Sequence, residues 1–203
     1  MRLPALLIAS LFLAACIGNP PRQTDPVLHD LGDADGGWPA SGLALSGFRV
    51  RAVSWLDAPA VLYRLSYADD LSRRAYAGHR WVAPPAELFE RNLQRRLVAA
   101  RPDERGTGCR VALTLDELEQ RFSSAQQSLV VLDARATLLP PHGETRLARR
   151  AFSVKQTADT PDARGGVRAT RVAADSLAQE LARWLETLAR EQPELLNLCK
   201  ERR

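Results

Sequence analysis

The alternation of hydrophobic and polar residues divides the chain after about residue 26 into strands and helices arranged in two similar halves. In the first half, three segments repeat with the two-residue period of a β-strand, at residues 43–55, 61–67 and 75–81. Short polar or proline-containing stretches separate them, so we expect an antiparallel meander. A shorter strand is predicted at residues 27–31, followed by a loop at 33–37.

A helix is predicted to follow the third strand of this meander. The Pro-Pro pair at 84–85 suits a first helical turn, because the N–H that proline lacks would be unpaired there in any case. Phe89, Leu93 and Leu97 then recur at helical spacing and define one apolar face. Pro102 ends the pattern, so we expect an amphipathic helix that packs against a sheet.

The second half of the chain repeats this order. Strand patterns occur at residues 109–115, 129–139 and 145–156, and a loop rich in Asp, Pro and Gly follows at 159–166. The longest helix is predicted at 167–191. Its buried stripe is formed by Ala174, Leu177, Leu181, Trp184, Leu185 and Leu188.

Strands followed by a helix, twice over, predict the fold class. We expect an α+β protein, a two-layer sandwich with a mainly antiparallel sheet and two long helices packed on one face. Residues 27–203 are enough for a single domain with a substantial core.

The N-terminal segment has the pattern of a lipoprotein signal peptide. A basic residue at position 2, an apolar run at 6–13 and two alanines come directly before Cys16. The Leu-Ala-Ala-Cys sequence resembles the bacterial lipobox, in which the cysteine receives a diacylglyceryl group and its new N-terminus is acylated, typically with palmitate. We therefore expect loss of residues 1–15, a lipid on Cys16 and a tether over 16–26. An ordinary secretory signal with a chance cysteine is the alternative.

The residue after Cys16 bears on which membrane carries the anchor. In many Gram-negative bacteria an aspartate at this position resembles a signal for retention in the inner membrane. The position is Ile17 here, so we expect the outer membrane, with the domain on its periplasmic face. Nothing after Cys16 approaches 18 consecutive apolar residues, so no second membrane anchor is predicted.

The formal net charge is +4, and most of the basic side chains are arginine. A basic composition can indicate binding of nucleic acid or of anionic lipid. These arginines are spread over both halves, and we expect no nucleic-acid partner for an exported lipoprotein. Arg146, Arg149 and Arg150 form the densest group, which is either a contact for a lipid or a partner or a solvated strand edge.

Two cysteines remain once Cys16 is assigned to lipid. An even number in an oxidising periplasm favours a disulfide between Cys109 and Cys199. Such a bridge would fasten the C-terminal segment to the start of a central strand. Two free thiols that never meet are the alternative.

A search of the sequence for catalytic and metal-binding motifs finds none. The histidines lie in three separate segments, and none has a second His or Cys at a metal-ligand spacing. There is no phosphate-binding loop, no dinucleotide fingerprint and no Gly-x-Ser-x-Gly elbow. We therefore predict a protein that is not an enzyme and that needs neither a cofactor nor a metal.

Aromatic residues are the remaining candidates for binding. Tyr63, Tyr67, Tyr76 and Trp81 fall in the second and third predicted strands and in the turn into the first helix. Side chains of this kind anchor partner surfaces or line apolar grooves. The alternative is that they fill the half-buried face of a sheet.

Several short segments together resemble one protein family. Tyr-Arg-Leu-Ser-Tyr at 63–67 and Tyr-Ala-Gly-His-Arg-Trp-Val-Ala-Pro-Pro at 76–85 are similar to the ABC-type transport auxiliary lipoproteins, which are linked to MCE-type and paraquat-inducible envelope lipid transport. Arg-Phe-Ser-Ser-Ala at 121–125, Arg-Arg-Ala-Phe at 149–152 and the Ala-rich last helix add to the resemblance. The Arg-Trp-x-x-Pro-Pro junction is its most specific part.

The resemblance implies a function as well as a location. It implies an outer-membrane lipoprotein that serves as a non-catalytic accessory of an ABC/MCE-type lipid transport system and docks the periplasmic MCE conduit protein. No catalytic residues come with the family. A structural or assembly lipoprotein, pilotin-like or scaffolding, is the alternative, and an envelope hydrolase with an unrecognised site is a third hypothesis. A homo-oligomer, the transported lipid and lipid binding by the domain itself stay open.

Overall fold

A computed structural model describes residues 25–33, 42–98 and 108–200. The predicted signal peptide, Cys16 and the tether up to residue 24 lie outside the described residues, as do positions 34–37 of the predicted first loop.

The described residues contain seven strands and three helices, two of them long, which is an α+β fold as predicted. The strands are β1 (Val27–His29), β2 (Leu45–Ala52), β3 (Ala60–Leu65), β4 (Arg73–Trp81), β5 (Cys109–Phe122), β6 (Ser128–Leu139) and β7 (Ala148–Thr157). The helices are α1 (Pro85–Leu97), α2 (Ala163–Glu191) and α3 (Glu194–Leu198). A 3-10 turn at Ser54–Leu56 links β2 to β3.

All seven strands belong to one mixed sheet with the order β1-β4-β3-β5-β6-β7, and β2 pairs with β5 off this path. Both β2 and β3 run parallel to β5: β2 pairs with its first half and β3 with its last residues. The predicted three-stranded meander is therefore wrong in its first pair, because only β3 and β4 form a hairpin. The reason is length: β5 has 14 residues and accommodates two shorter strands end to end along one edge.

A bulge in β5 changes which of its residues face the helices. Leu115 pairs with Ala134 and Glu117 with Asp133, so Asp116 is an extra residue in β5. Before the bulge the odd-numbered residues are buried, as at Leu113, and after it even-numbered residues such as Gln120 take that position. The hydrophobic alternation consequently breaks at this point, which is why the sequence predicted a strand only to residue 115.

The core lies between the sheet and the helices α1 and α2. Phe89 and Leu93 of α1 and the predicted stripe of α2 are buried there. Helix α2 begins at Ala163, four residues earlier than predicted, because the Asp162 side chain accepts a hydrogen bond from the Gly165 N–H at 2.7 Å. The N-cap thus brings part of the predicted loop into the helix.

Helix α1 also protects the outer edge of β2. The Phe48 N–H donates to Gln94 Oε1 at 2.9 Å, and the Val50 N–H donates to Glu90 Oε2 at 2.8 Å. Exposed strand edges invite pairing with other chains unless their polar groups are covered. Side chains of α1 therefore take the place of a further strand along β2.

Cys109 and Cys199 form a disulfide in this structure, with Cα atoms 4.8 Å apart. This is the pairing that the sequence analysis favoured. The bond joins the first residue of β5 to the residue that follows α3. Both cysteines are fully buried, so the C-terminal helix is held against the main sheet.

Candidate binding surface

The face of the sheet opposite α1 and α2 is not covered by any helix of the described residues, and we call it the open face. Its composition follows from strand alternation. Phe48 and Val50 of β2 point into the core, so the neighbouring Arg49 and Arg51 point the other way and are exposed. Arg110 of β5 lies on the same face.

Strand register aligns two rows of side chains across the open face. Residues paired across neighbouring strands lie side by side on one face of a sheet. The first row is Arg49, Ala112, Thr137 and Arg149, and the second is Arg51, Thr114, Arg135 and Ala151. Short side chains therefore lie between arginines in both rows.

A cavity of about 720 Å³ lies along β2 and the first half of β5. Its charged lining consists of Arg49, Arg51, Arg110, Glu90 and Glu144. Arg110 Nη1 lies 3.2 Å from Glu144 Oε1, and the Glu90 carboxylate accepts the Val50 N–H. The cavity thus joins arginines of the open face to the α1 side chains that cover the outer edge of β2.

Farther along β5, a buried carboxylate gathers three arginines. Glu119 is only 2% exposed, and its Oε1 accepts hydrogen bonds from Arg64 Nε at 2.9 Å and Arg121 Nε at 2.6 Å. Its Oε2 accepts one from Arg73 Nε at 3.0 Å. Burial alone would raise the pKa of Glu119, but the hydrogen bonds from Arg64 and Arg121 and the charge of Arg73 outweigh it and lower this pKa. The carboxylate therefore stays ionised.

Glu117, two residues before Glu119 on the same face, behaves in the opposite way. Arg73 Nη2 lies 2.5 Å from Glu117 Oε2, which favours the charged form. Burial and the negative charge of Glu119 raise the pKa of Glu117 nonetheless. The arginines of this cluster thus outweigh the effect of burial on the pKa of Glu119 but not on the pKa of Glu117.

Three exposed apolar side chains lie on the two segments that this ionic cluster contacts, the 3-10 turn and the β3–β4 turn, and we call them the turn patch: Trp55, Tyr67 and Leu71. They are 52%, 51% and 94% exposed. The Arg73 guanidinium carbon lies 5.5 Å from the centre of the Trp55 ring, and Arg64 Nη1 donates to the Asp70 carbonyl in the β3–β4 turn at 2.5 Å. Large apolar side chains with this exposure are candidates for a contact with a partner.

Aromatic residues of β3 and β4 form a second cluster on the helix side of the sheet. The rings of Tyr63 and Tyr76 stack at 4.4 Å, and the Tyr76 hydroxyl donates to Gln120 Oε1 at 2.9 Å. Burial is the main cause that raises the pKa of Tyr76. The two rings therefore serve to pack the sheet, and the hydroxyl of Tyr76 has a hydrogen-bond partner.

A histidine pair ties β1 to β4 beside these tyrosines. His29 Nε2 lies 2.8 Å from His79 Nδ1, and the two rings stack at 5.1 Å. Burial, followed by the charges of His79 and Arg164, lowers the pKa of His29, while Asp30 acts weakly in the other direction. Neutral His29 therefore suits this contact.

The structure separates the aromatic candidates predicted from the sequence. Tyr63 and Tyr76 stack on the helix side, whereas Tyr67 lies in the exposed turn patch. Trp81 is 4% exposed and belongs to the hydrophobic core, so its prediction as a contact residue is corrected. The reason is its place at the last residue of β4, with only three residues between it and α1, which packs on the core.

The predicted arginine group is also divided by the fold. Arg149 lies on the open face, whereas the next residue, Arg150, lies on the opposite face with its guanidinium carbon 5.4 Å from the Phe152 ring centre. Arg146 is exposed in the segment before β7. Sequence reasoning missed Arg49, Arg51 and Trp55, although alternation with Phe48 and Val50 was a signal for the two arginines.

Two negative findings concern only the part of the chain that the structure describes. Within it, no three His, Cys, Asp or Glu side chains come together as a metal site. No helix in these ranges combines the length and the apolar character needed to cross a membrane.

Comparison with known proteins shows a family and several similar solved structures, two of which are described here. The family model for the ABC-type transport auxiliary lipoprotein component matches residues 41–182, more than two thirds of the chain. The crystal structure of protein XCC0632 from Xanthomonas campestris has a TM-score of 0.67 at 16% identity, and the match covers 83% of this chain and 99% of that one. That of an uncharacterized protein has a TM-score of 0.50 at 15% identity, with the same coverage. No curated protein matches significantly.

Proposed function

Because the chain belongs to the family of ABC-type transport auxiliary lipoproteins, we propose that it is an outer-membrane-anchored accessory of an ABC/MCE-type intermembrane lipid transport system. In this role it docks the periplasmic MCE conduit protein near the outer membrane without catalysing a reaction. The observation that carries the proposal is the family match over residues 41–182. The residues that it covers include β2 to β7 and most of α2.

The N-terminal sequence supports a role that depends on position. A lipid on Cys16 and a tether of about ten residues would hold the folded domain within roughly 30–35 Å of the bilayer, at most 3.3–3.6 Å per residue. Tethering raises the effective concentration of a binding domain at its partner without any new contact. An accessory with modest affinity for the conduit would therefore bind it efficiently at the membrane.

The turn patch supports contact with a protein partner. Tyr67 and Leu71 project from the β3–β4 turn, and Trp55 lies beside the ionic cluster that supports this turn. Tyr and Trp are enriched among the residues that contribute most to the affinity of protein interfaces, and the exposed Leu71 adds apolar area beside Tyr67 in the same turn. We propose that the conduit protein binds over this patch.

Affinity purification of the lipidated full-length protein from membranes tests the proposal. We expect an MCE protein and ABC transporter components among the partners that are recovered. Tyr67→Ala combined with Leu71→Ala should lower their recovery strongly, because both exposed anchors are removed. Val172→Ala, which truncates an exposed apolar residue on α2, is the matched control and should leave recovery unchanged.

Two results would count against the proposal. Recovery of secretin or envelope-assembly proteins in place of the transporter would favour the structural or assembly lipoprotein. Equal recovery of MCE and ABC components with the turn-patch variant would keep the transport role but remove the proposed docking surface.

A further inference from the structure

We propose that the cavity on the open face binds the phosphate group of a membrane phospholipid headgroup. This inference goes beyond the proposed docking of a conduit protein and does not depend on it. It assigns to the domain a lipid contact separate from the Cys16 anchor.

Arg49 and Arg51 supply the charge for this site. They are exposed next to each other on one face of β2, and neither has an ion-pair partner within the described ranges. A guanidinium presents a planar fork of donors that matches phosphate in a bidentate way. Two such forks at adjacent positions of one strand face are suited to share one phosphate.

Arg110 identifies the part of the cavity where an anion is favoured. Its guanidinium contacts the Glu144 carboxylate at 3.2 Å and also donates to the Gly143 carbonyl. Glu144 is largely exposed, so this ion pair is weak and open to exchange. A phosphate entering the cavity would compete with Glu144 for Arg110.

The floor of the cavity leaves space for a compact group. Ala112 and Thr114 lie beside Arg49 and Arg51 in the strand register, and both side chains are short. The Thr114 hydroxyl adds a neutral hydrogen-bond donor. On the far side of the open face, Arg149 is about 14 Å from Arg49, since neighbouring strands are about 4.8 Å apart. Further headgroups of a bilayer would meet this second positive position.

The geometry favours a lipid phosphate over an acidic peptide. An extended peptide gains most of its affinity by pairing with a free strand edge. At this cavity the edge of β2 is already occupied, because Gln94 and Glu90 accept its N–H groups. The cavity therefore offers arginine guanidinium groups above short side chains, an arrangement that suits a small anion at the end of a larger molecule.

Native mass spectrometry of the full-length protein in detergent tests the inference, with added phosphatidylglycerol as the probe and diacylglycerol as the phosphate-free comparison. We expect phosphatidylglycerol to bind and diacylglycerol not to. Arg49→Gln with Arg51→Gln should weaken binding about tenfold, as expected for loss of charge-assisted hydrogen bonds. Arg74→Gln with Arg183→Gln removes the same charge from exposed arginines off the open face and should leave binding within about twofold.

Glu144→Gln gives a test that a general loss of stability could not imitate. It releases Arg110 from its carboxylate partner, so we expect tighter binding of phosphatidylglycerol than in the unmodified protein. Thermal melting of each variant establishes that it is folded.

Four results would overturn the inference. The first is an equal loss of phosphatidylglycerol binding in the two double-arginine variants. The second is binding of diacylglycerol as tight as that of phosphatidylglycerol. The third is binding of inorganic phosphate through Arg49 and Arg51 without any binding of phosphatidylglycerol, which would assign the cavity to free phosphate. The fourth is loss of a protein partner from the Arg49→Gln, Arg51→Gln variant with lipid binding unchanged, which would assign the face to an acidic protein. Docking at the turn patch is measured separately, so either proposal can fail alone.

Discussion

Arg64 Nε donates a hydrogen bond to Glu119 Oε1 at 2.9 Å, and this contact fastens β3 to β5. The parallel pairing of these two strands extends over only three residues of each. Arg73 adds β4 to the same carboxylate. Glu119 therefore holds three strands together from the open face, where no described helix helps.

We predict that Glu119→Gln lowers the free energy of unfolding by about 2 kcal/mol at neutral pH. The reason is the loss of charge-assisted hydrogen bonds from arginines that remain partly buried. Glu117→Gln is the matched control on the same strand and should cost clearly less, because burial and the charge of Glu119 already disfavour its ionised form. Urea unfolding of both variants measures the difference.

The pH dependence should separate the two glutamates further. The folded-state pKa of Glu119 is lowered from its ordinary 4.5, so its stabilisation is full above about pH 4.5 and is lost as the pH falls through the folded value. Glu117, with a raised pKa, contributes in the opposite sense. The unfolding free energy of Glu119→Gln should thus fall less on acidification than that of the unmodified protein, and equal slopes would contradict the assignment.

Gly165 cannot carry a side chain where α2 begins. A Cβ atom there would lie 2.0 Å from the Thr160 carbonyl oxygen, which is backbone and cannot move aside cheaply. We predict that Gly165→Ala lowers the free energy of unfolding by about 3 kcal/mol through this clash. Gly78→Ala is the control, since nothing lies within 4 Å of its Cβ position, and should change stability by less than about 1 kcal/mol. Similar costs for both would refute the close packing of α2 on residue 160.

The Cys109–Cys199 bond closes a loop of 90 residues, so its main effect should be on the unfolded chain. We predict that Cys109→Ala with Cys199→Ala lowers the free energy of unfolding by about 2–4 kcal/mol. The unmodified protein unfolded in a reducing buffer should lose a comparable amount, and the double variant should be insensitive to the reductant. Free-thiol masses at both cysteines in protein purified without reductant would show that the bond does not form.

Acidification should loosen β1 from the sheet. Burial and the positive charges of His79 and Arg164 lower the pKa of His29, so proton uptake favours the detached strand. The contribution of His29 to the docking of β1 is thus full above about pH 6.5, the ordinary histidine value, and is lost as the pH falls below it. Hydrogen exchange of residues 27–29, corrected for intrinsic rates, should accelerate in that range.

His79→Gln should reduce this acid response, because it removes the electrostatic effect of His79 that, after burial, lowers the pKa of His29 most. His142→Gln replaces an exposed histidine in the β6–β7 connection and should leave the response unchanged. An exchange rate at β1 that does not vary with pH would contradict the role of the pair.

How far the sequence predicts this fold depends on whether the relevant signal is local. The buried face of α2 is readable from the spacing of Leu177, Leu181 and Leu185 alone, because one helix determines which of its residues share a face. Strand alternation has the same local character and places Arg49 away from the core. The pairing of strands is not a local property, because the residues of β2 do not indicate whether this strand pairs with β5 or with β3.

The same distinction applies to the candidate surfaces. The sequence alone does not predict that Glu119 is buried. Its charged form is stable there because Arg64 and Arg73 donate hydrogen bonds to it, and these residues lie 55 and 46 positions away in the chain. Trp81 is of a residue type that is common at protein contacts, yet its position between β4 and α1 places it in the core. Residue type indicated which side chains can bind, and only the topology separates those that are exposed.

The final prediction concerns the membrane that carries the anchor. We expect Ile17→Asp to move the lipidated protein from the outer-membrane to the inner-membrane fraction, because an aspartate after the lipidated cysteine resembles the retention signal. Ile17→Ser is the control for a polar substitution without a carboxylate and should stay in the outer membrane. If the conduit is met only at the outer membrane, Ile17→Asp should lose activity while remaining lipidated and folded. Full activity from the retained protein would contradict docking at that site.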